Sequence, residues 1–473
     1  MKLEALVTLA TALAAWMAVA EEPLARGAVV AKVACRDDNG QSYALYLPVA
    51  YTPERRWPIL YVLDARGRGA PAAERFREAA ESYGWVVASS NNSRSDEAVD
   101  PNTDAMRAMW RDTHARLSLD DRRIYVAGFS GGARAAIRLA QQAPSTIAGV
   151  IACGAGFPPE LPPARGLKLT IFGVAGETDF NYEELQALDA TLAEIQVPHR
   201  VEAFEGAHEW PPPEVCRQAV EWMEVQAMKE GRRGKDEALL QALMSKGLDG
   251  AARLEHSGRV LDASRAYQAL ERDFDGLVDV NQPRQALARM RGAPALGEAL
   301  KARAGTLRRE REYIARAPSA LAQMTAEEGT GGVRRVLAEL KIAELKKSAT
   351  SAGEREERLM ARRLLESVFV QTSFYLPRAL LERKDPRRAV LSLLVAAEIK
   401  PEEPYVWYGL ARARALSGDK GEALKALRRA VEAGFHDAEA LATEPGFETL
   451  RKERGYREII EGLRRDAGPV TGS

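Results

Sequence analysis

The chain has 473 residues, 46% of them hydrophobic, and this length predicts two or three domains with sizeable cores. Lys plus Arg and Asp plus Glu number 67 each, so the formal net charge is zero. This balance argues against nucleic acid or an anionic membrane surface as the partner and favours small molecules or proteins.

The first twenty residues carry the features of a secretory signal peptide. Lys2 precedes an Ala/Leu-rich run that ends in Ala18-Val19-Ala20, the small-residue pattern of a cleavage site. An uncleaved membrane anchor is the alternative, but the run falls short of the roughly 20 apolar residues that a span needs. We therefore expect cleavage near Ala20 and a secreted or periplasmic protein with no membrane contact afterwards.

Residues 27–229 alternate short apolar runs with segments of helical periodicity, which predicts an α/β fold with a mostly parallel sheet. The expected helices span 72–82, 102–117, 132–142, 182–195 and 213–229. The eight expected strands are GAVVAKVAC, SYALYLP, PILYVLD, WVVASS, IYVAGF, IAGVIACG, LKLTIFGV and HRVEAFEG.

A second, all-helical region follows a charged segment, KEGRRGK at 229–235, which we interpret as a linker. Beyond it strand-like runs almost vanish, and Arg, Ala, Leu and Glu dominate residues 236–473, as in stacked helices. An irregular helical domain with accidental periodicity is the alternative to an ordered repeat.

A 34-residue period favours the repeat: Ala389, Leu393 and Ala396 recur as Ala423, Leu427 and Ala430. The segment WYGLARARALSGDKGEALKALRRA resembles a tetratricopeptide repeat, most clearly over 374–437. This resemblance implies paired helices that bind a protein partner along a concave face.

No cofactor-binding pattern is present, so we expect neither a cofactor nor a metal. Cys35, Cys153 and Cys216 are too widely spaced for a zinc site or a dense disulfide framework. We interpret them as small buried apolar residues. Whether two of them form one disulfide is left open.

The stretch Gly128-Phe129-Ser130-Gly131-Gly132 matches G-x-S-x-G, the pattern of a nucleophile elbow. The pattern alone is weak, but here an apolar run precedes it and a helical segment follows, as an elbow requires. A serine hydroxyl is a poor nucleophile until a base takes its proton, so a histidine is needed.

His208 follows the last expected strand and is the candidate base. Asp179 follows the strand before it and is the candidate acid that orients the imidazole, with Glu177 left open as an alternative. The order Ser130, Asp179, His208 is that of α/β-hydrolases.

Residues 29–222 resemble α/β-hydrolases, in particular polyhydroxybutyrate-depolymerase-like and feruloyl-esterase-like enzymes. The resemblance lies in RRIYVAGFSGGARAA, GETDFNY and FEGAHEWP. It implies Ser130 as nucleophile, Asp179 as acid and His208 as base. Cleavage of an ester or related acyl bond of a small or polymeric substrate would then pass through an acyl-enzyme.

The resemblance also implies an oxyanion hole built from the Gly131 N–H and one N–H of the loop after LYVLD, from Ala65 or Arg66. In this family Asp64 would organise that loop. Loop position alone makes Asn91, Asn92 and Trp210 candidate substrate-binding residues.

Two other functions stay open. In one, the protein is a non-catalytic binding or assembly protein, and Ser130 only caps a helix on an inactive scaffold. In the other, the hydrolase is a peptidase of the prolyl-oligopeptidase type. In the esterase interpretation the helical repeats bind a partner or cover the active site.

Overall fold

The computed structural model describes residues 24–95, 97, 99–326 and 329–466. The expected signal peptide, residues 1–20, lies outside these ranges. Every helix within them is too short or too polar to cross a lipid bilayer.

One eight-stranded sheet organises the N-terminal region, and all eight expected strands are confirmed. In spatial order the strands run β1-β2-β4-β3-β5-β6-β7-β8. The pairs β1–β2 and β2–β4 are antiparallel, and the other neighbours are parallel. The strands are β1 Val29–Cys35, β2 Asp38–Tyr46, β3 Trp57–Leu63, β4 Val86–Ser90, β5 Leu119–Phe129, β6 Gly149–Cys153, β7 Thr170–Gly176 and β8 His199–Phe204.

Helices cover both faces of this sheet because its strands alternate apolar side chains between the faces. Tyr61 joins the core beneath α2, α3 and α4, whereas Leu60 and Val62 join the core beneath α1 and α5. These five helices are α1 Gly69–Tyr83, α2 Asn102–Arg116, α3 Gly131–Gln142, α4 Tyr182–Glu194 and α5 Pro213–Lys229. The parallel strands all end at one edge, which collects the loops after β3, β5, β7 and β8.

The described residues between 237 and 466 are helical wherever their structure is regular. Helix α9 is the longest of the described helices, with 33 residues, and continues through Pro318. The helices are α6 Glu237–His256, α7 Val260–Phe274, α8 Asn281–Arg291, α9 Pro294–Ala326, α10 Gly331–Glu339, α11 Ile342–Thr350, α12 Arg355–Val370, α13 Leu376–Glu382, α14 Pro386–Ile399, α15 Pro404–Leu416, α16 Lys420–Glu432, α17 Ala438–Thr443 and α18 Arg454–Asp466. A π-helical turn, Gln371–Tyr375, and a 3₁₀ turn, Pro445–Leu450, complete the region.

The clearest copy of the expected repeat corresponds to α15 and α16, which pack against each other. Ala411, Ala423 and Ala430 are completely buried, so small side chains allow a close approach of these helices. Gly418, in the turn between them, has a φ of 87°, which favours glycine. Membership of the tetratricopeptide family stays a prediction.

The two regions share a core and a buried ion-pair cluster at their junction. Val225 and Met228 of α5 pack with Leu240 of α6. The fully buried Glu224 carboxylate binds the guanidinium groups of Arg123 and Arg233, and Arg233 belongs to the expected linker. The segment 229–235 is therefore tied to the sheet domain.

The three cysteines are buried free thiols, as their interpretation as small apolar residues predicts. The disulfide that the sequence left open is not formed. Burial raises the pKa of both Cys35 and Cys216 to about 12.

Candidate active site

Ser130 occupies the sharp turn between β5 and α3. Its φ of 56° and ψ of −122° lie outside the regions that non-glycine residues prefer, so the turn stores backbone strain. The Ser130 N–H donates to the Cys153 carbonyl at 2.8 Å, which anchors the turn to the end of β6.

The neighbouring glycines are required because backbone atoms fill the space that a side chain would need. A Cβ on Gly128 would lie 2.1 Å from the Gly132 carbonyl oxygen. A Cβ on Gly132 would lie 2.1 Å from the Leu63 carbonyl oxygen. Gly128 therefore permits close approach of β5 to the start of α3, and Gly132 permits close approach of the elbow to β3.

His208 joins Ser130 and Asp179 in one continuous chain of hydrogen bonds. The Ser130 Oγ lies 2.9 Å from His208 Nε2. The other ring nitrogen, Nδ1, lies 2.9 Å from Asp179 Oδ1 and 3.0 Å from Oδ2. The structure thus brings together three side chains that lie 49 and 29 residues apart in the sequence. This arrangement allows the imidazole to accept the serine proton.

Asp179 is fully buried, and burial raises the pKa of its carboxyl above the ordinary range. The hydrogen bond from His208 and the N–H of Asn181, at 2.8 Å, oppose this rise. An ionised Asp179 accepts the Nδ1 proton of His208, so the lone pair of Nε2 faces Ser130.

The loop after β3 contains both candidate backbone donors, Ala65 and Arg66. The Arg66 N–H donates to Asp64 Oδ1 at 2.8 Å. This N–H is therefore not available to an oxyanion, which corrects the candidate role of Arg66. The N–H groups of Ala65 and Gly131 donate to no other described residue. Ala65 and Gly131 are therefore the pair available to a developing oxyanion.

The peptide that carries the Ala65 N–H is fixed through its carbonyl. This Asp64 carbonyl accepts the Ser93 hydroxyl at 2.8 Å and the Gly67 N–H at 3.1 Å. Because a peptide unit is planar, holding the carbonyl also holds the direction of the N–H.

Comparison with known proteins agrees with this geometry. The sequence model of the dienelactone hydrolase family matches residues 71–209, a stretch that contains Ser130, Asp179 and His208. The sheet has the strand order of an α/β-hydrolase, and its elbow follows β5. The N-terminal region therefore has the fold of an α/β-hydrolase, and we call it the hydrolase domain.

Solved structures similar to this domain include several hydrolases, all with TM-scores below 0.5. S-formylglutathione hydrolase from Staphylococcus aureus is 17% identical, and the match covers 39% of this chain and 90% of that protein's chain, with a TM-score of 0.31. A ferulic acid esterase has 16% identity, with coverages of 41% and 97% and a TM-score of 0.33. A predicted CIB-like hydrolase from Thermoplasma acidophilum has 18% identity, with coverages of 41% and 98% and a TM-score of 0.33. No curated protein matches the sequence.

Glu177, the alternative acid, forms ion pairs with the helical region. Its carboxylate binds the side chain of Arg355 and lies 3.7 Å from Arg259 Nη2. Both arginines belong to the helical region. Asp179 is therefore the carboxylate that contacts His208.

Trp210 is a structural residue beneath the oxyanion loop, which corrects its assignment to substrate binding. It is only 7% exposed, and its Nε1–H donates to Asp64 Oδ2 at 2.7 Å. Burial alone would raise the pKa of Asp64, but bonds from Trp210, Arg68 and Arg66 outweigh burial and lower it. The ionised Asp64 carboxylate thus holds the loop after β3 in place.

The side chains of Asn91 and Asn92 bind the edge of the sheet, and their assignment to substrate binding stays a prediction. Asn91 Nδ2 donates to the Ala31 carbonyl and the Ser42 hydroxyl, both at 3.2 Å. Asn92 Oδ1 accepts the Ser42 N–H at 2.9 Å, and its Nδ2 donates to the Gly40 carbonyl at 3.0 Å.

Three residues that sequence reasoning missed surround the imidazole. The rings of Phe129 and Phe180 lie 4.8 and 4.3 Å from the His208 ring, between their centroids. Gly154 has a φ of 67°, and a Cβ there would lie 3.3 Å from both Asp179 Oδ2 and His208 Cε1. Its position directly after β6 was the one available signal.

A cavity of about 780 Å³ lies between β8, α4 and α5 of the hydrolase domain and helices of the helical region. Glu177 and Tyr182 line it, but Ser130 and His208 do not. The cavity is therefore separate from the reacting atoms. Among the described residues no cluster of three or more His, Cys, Asp or Glu side chains is arranged to hold a metal ion.

Proposed function

We propose that the protein is a serine hydrolase that cleaves carboxylic esters through an acyl-enzyme. The hydrogen-bond chain from Ser130 Oγ through His208 to the buried Asp179 carries this proposal. The match to a hydrolase family over residues 71–209 supports hydrolase chemistry independently of that geometry.

In the acylation step, Ser130 Oγ attacks the ester carbonyl carbon while its proton moves to His208 Nε2. The imidazolium that forms is stabilised by the Asp179 carboxylate, 2.9 Å from Nδ1. The carbonyl oxygen becomes an oxyanion between the N–H groups of Ala65 and Gly131. When the carbon–oxygen bond to the alcohol breaks, His208 returns the proton to the leaving alkoxide.

Deacylation repeats these steps with water as the nucleophile. His208 takes a proton from water, and the resulting hydroxide attacks the acyl carbon of the ester on Ser130. The second tetrahedral intermediate uses the same two N–H donors. Its collapse releases the carboxylic acid and returns the proton to Ser130 Oγ.

The ester substrate is a proposal at the level of its class. The matching family takes its name from a lactone, which is a cyclic ester, so a panel should combine lactones with aryl and alkyl esters. A peptide anilide in the same panel tests the peptidase alternative, since cleavage of the anilide in preference to every ester would favour that alternative.

We also propose export to the periplasm or medium, on the pattern of residues 1–20. Fractionation of cells that make the full chain tests it, and retention of the uncut protein in the cytoplasm would contradict it. Partner binding by the helical repeats is proposed on sequence similarity. Co-purification with a partner that depends on residues 374–437 would support it.

Labelling with a fluorophosphonate tests the nucleophile directly, because this reagent phosphonylates an activated serine. The wild-type protein should be labelled and should hydrolyse an aryl ester, and Ser130→Ala should abolish both. Ser145→Ala, at an exposed serine of the same domain, is the matched control and should change neither. Labelling or turnover that survives in Ser130→Ala rejects the mechanism, and the binding-protein interpretation predicts no labelling of the wild type.

A further inference from the structure

We call residues 177–181, between β7 and α4, the acid loop, because it carries the triad aspartate. On one side the hydrolase domain itself holds this loop. The N–H groups of Glu177 and Thr178 donate to the carbonyls of Phe204 and Gly206 at 2.8 and 3.0 Å. These bonds join the acid loop to the segment that leads to the catalytic histidine.

On its other side the acid loop is held by Arg363, a residue of α12 in the helical region. Arg363 Nη1 donates to the Glu177 carbonyl at 3.0 Å. The same guanidinium lies over the ring of Tyr182, 4.5 Å from its centroid. One side chain therefore contacts the first residue of the loop and the first residue of the helix that follows.

The direction of the Arg363 side chain is fixed by Glu310 of α9. Its Nε and Nη2 donate to the two carboxylate oxygens of Glu310, each at 2.7 Å. The side chains are only 1% and 2% exposed. A planar guanidinium held by two parallel bonds has one orientation, so Nη1 is aimed at the Glu177 carbonyl.

Other arginines of the helical region bind the same loop and its helix. Arg355 and Arg259 contact the Glu177 carboxylate, but each is 43% exposed and so contributes little. Arg303, only 8% exposed, donates to the Tyr182 hydroxyl. The buried members of this set, Arg303 and Arg363, come from two different helices.

We propose that Arg363 is a positioning residue that holds the acid loop so that Asp179 meets His208 Nδ1. The Glu177 carbonyl is two residues from Asp179, and a shift of about 1 Å in a catalytic group can cost up to about 10²-fold in rate. Through Arg363, α12 of the helical region would then position a residue of the triad. This inference rests on the proposed serine-hydrolase function.

The test replaces the buried pair by neutral side chains of similar size, in Glu310→Gln/Arg363→Met. Removing both charges leaves no unpaired ion in the interior, so the fold should survive. The matched control is Arg414→Met/Glu422→Gln, because that pair joins α15 to α16, far along the chain from the hydrolase domain, with an N–O distance of 2.9 Å. Each variant is made in the full chain, with and without Asp179→Asn.

In the wild-type background, the Glu310/Arg363 variant should lower kcat for an aryl ester at least about ten-fold with little change in KM. In the Asp179→Asn background the same change should have no further effect, because the aspartate through which Arg363 acts is gone. An equal loss in both backgrounds, or a loss no greater than that of the control, would overturn the proposal.

Proton NMR gives a readout that does not require turnover. The wild type should show a low-field imidazole proton from the His208–Asp179 hydrogen bond, and this signal should weaken or shift in the Glu310/Arg363 variant but not in the control. An unchanged signal rejects the positioning role even if the wild type proves inactive, whereas absence of Ser130-dependent turnover rejects the proposed function alone. If the double variant does not fold, Arg363→Lys keeps the charge but loses the fork, and unchanged kcat there would reject the proposal.

Discussion

Replacing Asp179 by asparagine puts an NH₂ group in place of one carboxylate oxygen. In this site we expect the change to move the proton on the His208 ring. The Asn181 N–H lies 2.8 Å from Asp179 Oδ1 and would hold the amide oxygen at that position. The amide NH₂ would then take the place of Oδ2, 3.0 Å from His208 Nδ1. An amide N–H directed at Nδ1 favours the tautomer in which Nδ1 accepts this bond and the ring proton is on Nε2, which can no longer accept the proton of Ser130.

The expected loss in kcat is about 10⁴-fold, the size seen when a triad aspartate is replaced and the wrong tautomer results. It corresponds to about 5.4 kcal/mol of transition-state stabilisation. The assay is steady-state hydrolysis of an aryl ester. Asp189→Asn is the control, since Asp189 lies 3.3 Å from His199, and it should leave turnover unchanged. A loss below about ten-fold for Asp179→Asn would refute the tautomer reasoning.

The same substitution makes a second, opposite prediction for stability. Burial raises the pKa of Asp179 in the folded state, so folding favours the neutral carboxyl group. The contribution of this group to folding stability is fully present below the unfolded-state pKa of about 3.9 and is lost as pH rises through the folded-state pKa. At pH 8 the wild type therefore contains a costly buried carboxylate. Asp179→Asn should have an equal or higher thermal midpoint at pH 8, and a midpoint well below that of wild type would contradict this sign.

Two further substitutions test the supports of the site. Trp210→Phe leaves an oxygen of buried Asp64 unpaired, so the thermal midpoint should fall by the equivalent of about 1–3 kcal/mol, with a loss in kcat. An unchanged midpoint would contradict it. Gly128→Ala places a methyl group 2.1 Å from the Gly132 carbonyl oxygen and should abolish fluorophosphonate labelling. Gly297→Ala, where nothing lies within 4 Å, is its control, and equal labelling of the two variants would contradict the steric reasoning.

The sheet domain was predictable because its local signals agree with its tertiary structure. Buried parallel strands need nearly continuous apolar runs, and β3, β6, β7 and residues 124–129 of β5 consist of such runs. The helical region was less predictable in detail. Helix α9 continues through Pro318, where a sequence rule expects a break, since packing against neighbouring helices overrides the local preference.

Site residues chosen by strand order were placed together, whereas those chosen by loop position were not. Ser130, Asp179 and His208 each follow a strand whose end lies at one edge of the sheet. The role of Trp210 depends on a bond to Asp64, 146 residues earlier in the chain. Such long-range partners leave no mark in a single sequence, and the arginines that hold Glu177 leave none either.

The buried Glu224 has a consequence for attempts to exchange parts of this protein. Its carboxylate is neutralised from the sheet by Arg123 and from beyond α5 by Arg233. Recombination with another enzyme at Lys229, where the sequence looks most modular, would strip one of these counter-ions and every arginine that holds Glu177 and Tyr182. A transplanted hydrolase domain would therefore need new cationic partners for Glu224 and for the segment that contains Glu177 and Tyr182. Exchange of surface loops would alter specificity without removing these buried contacts.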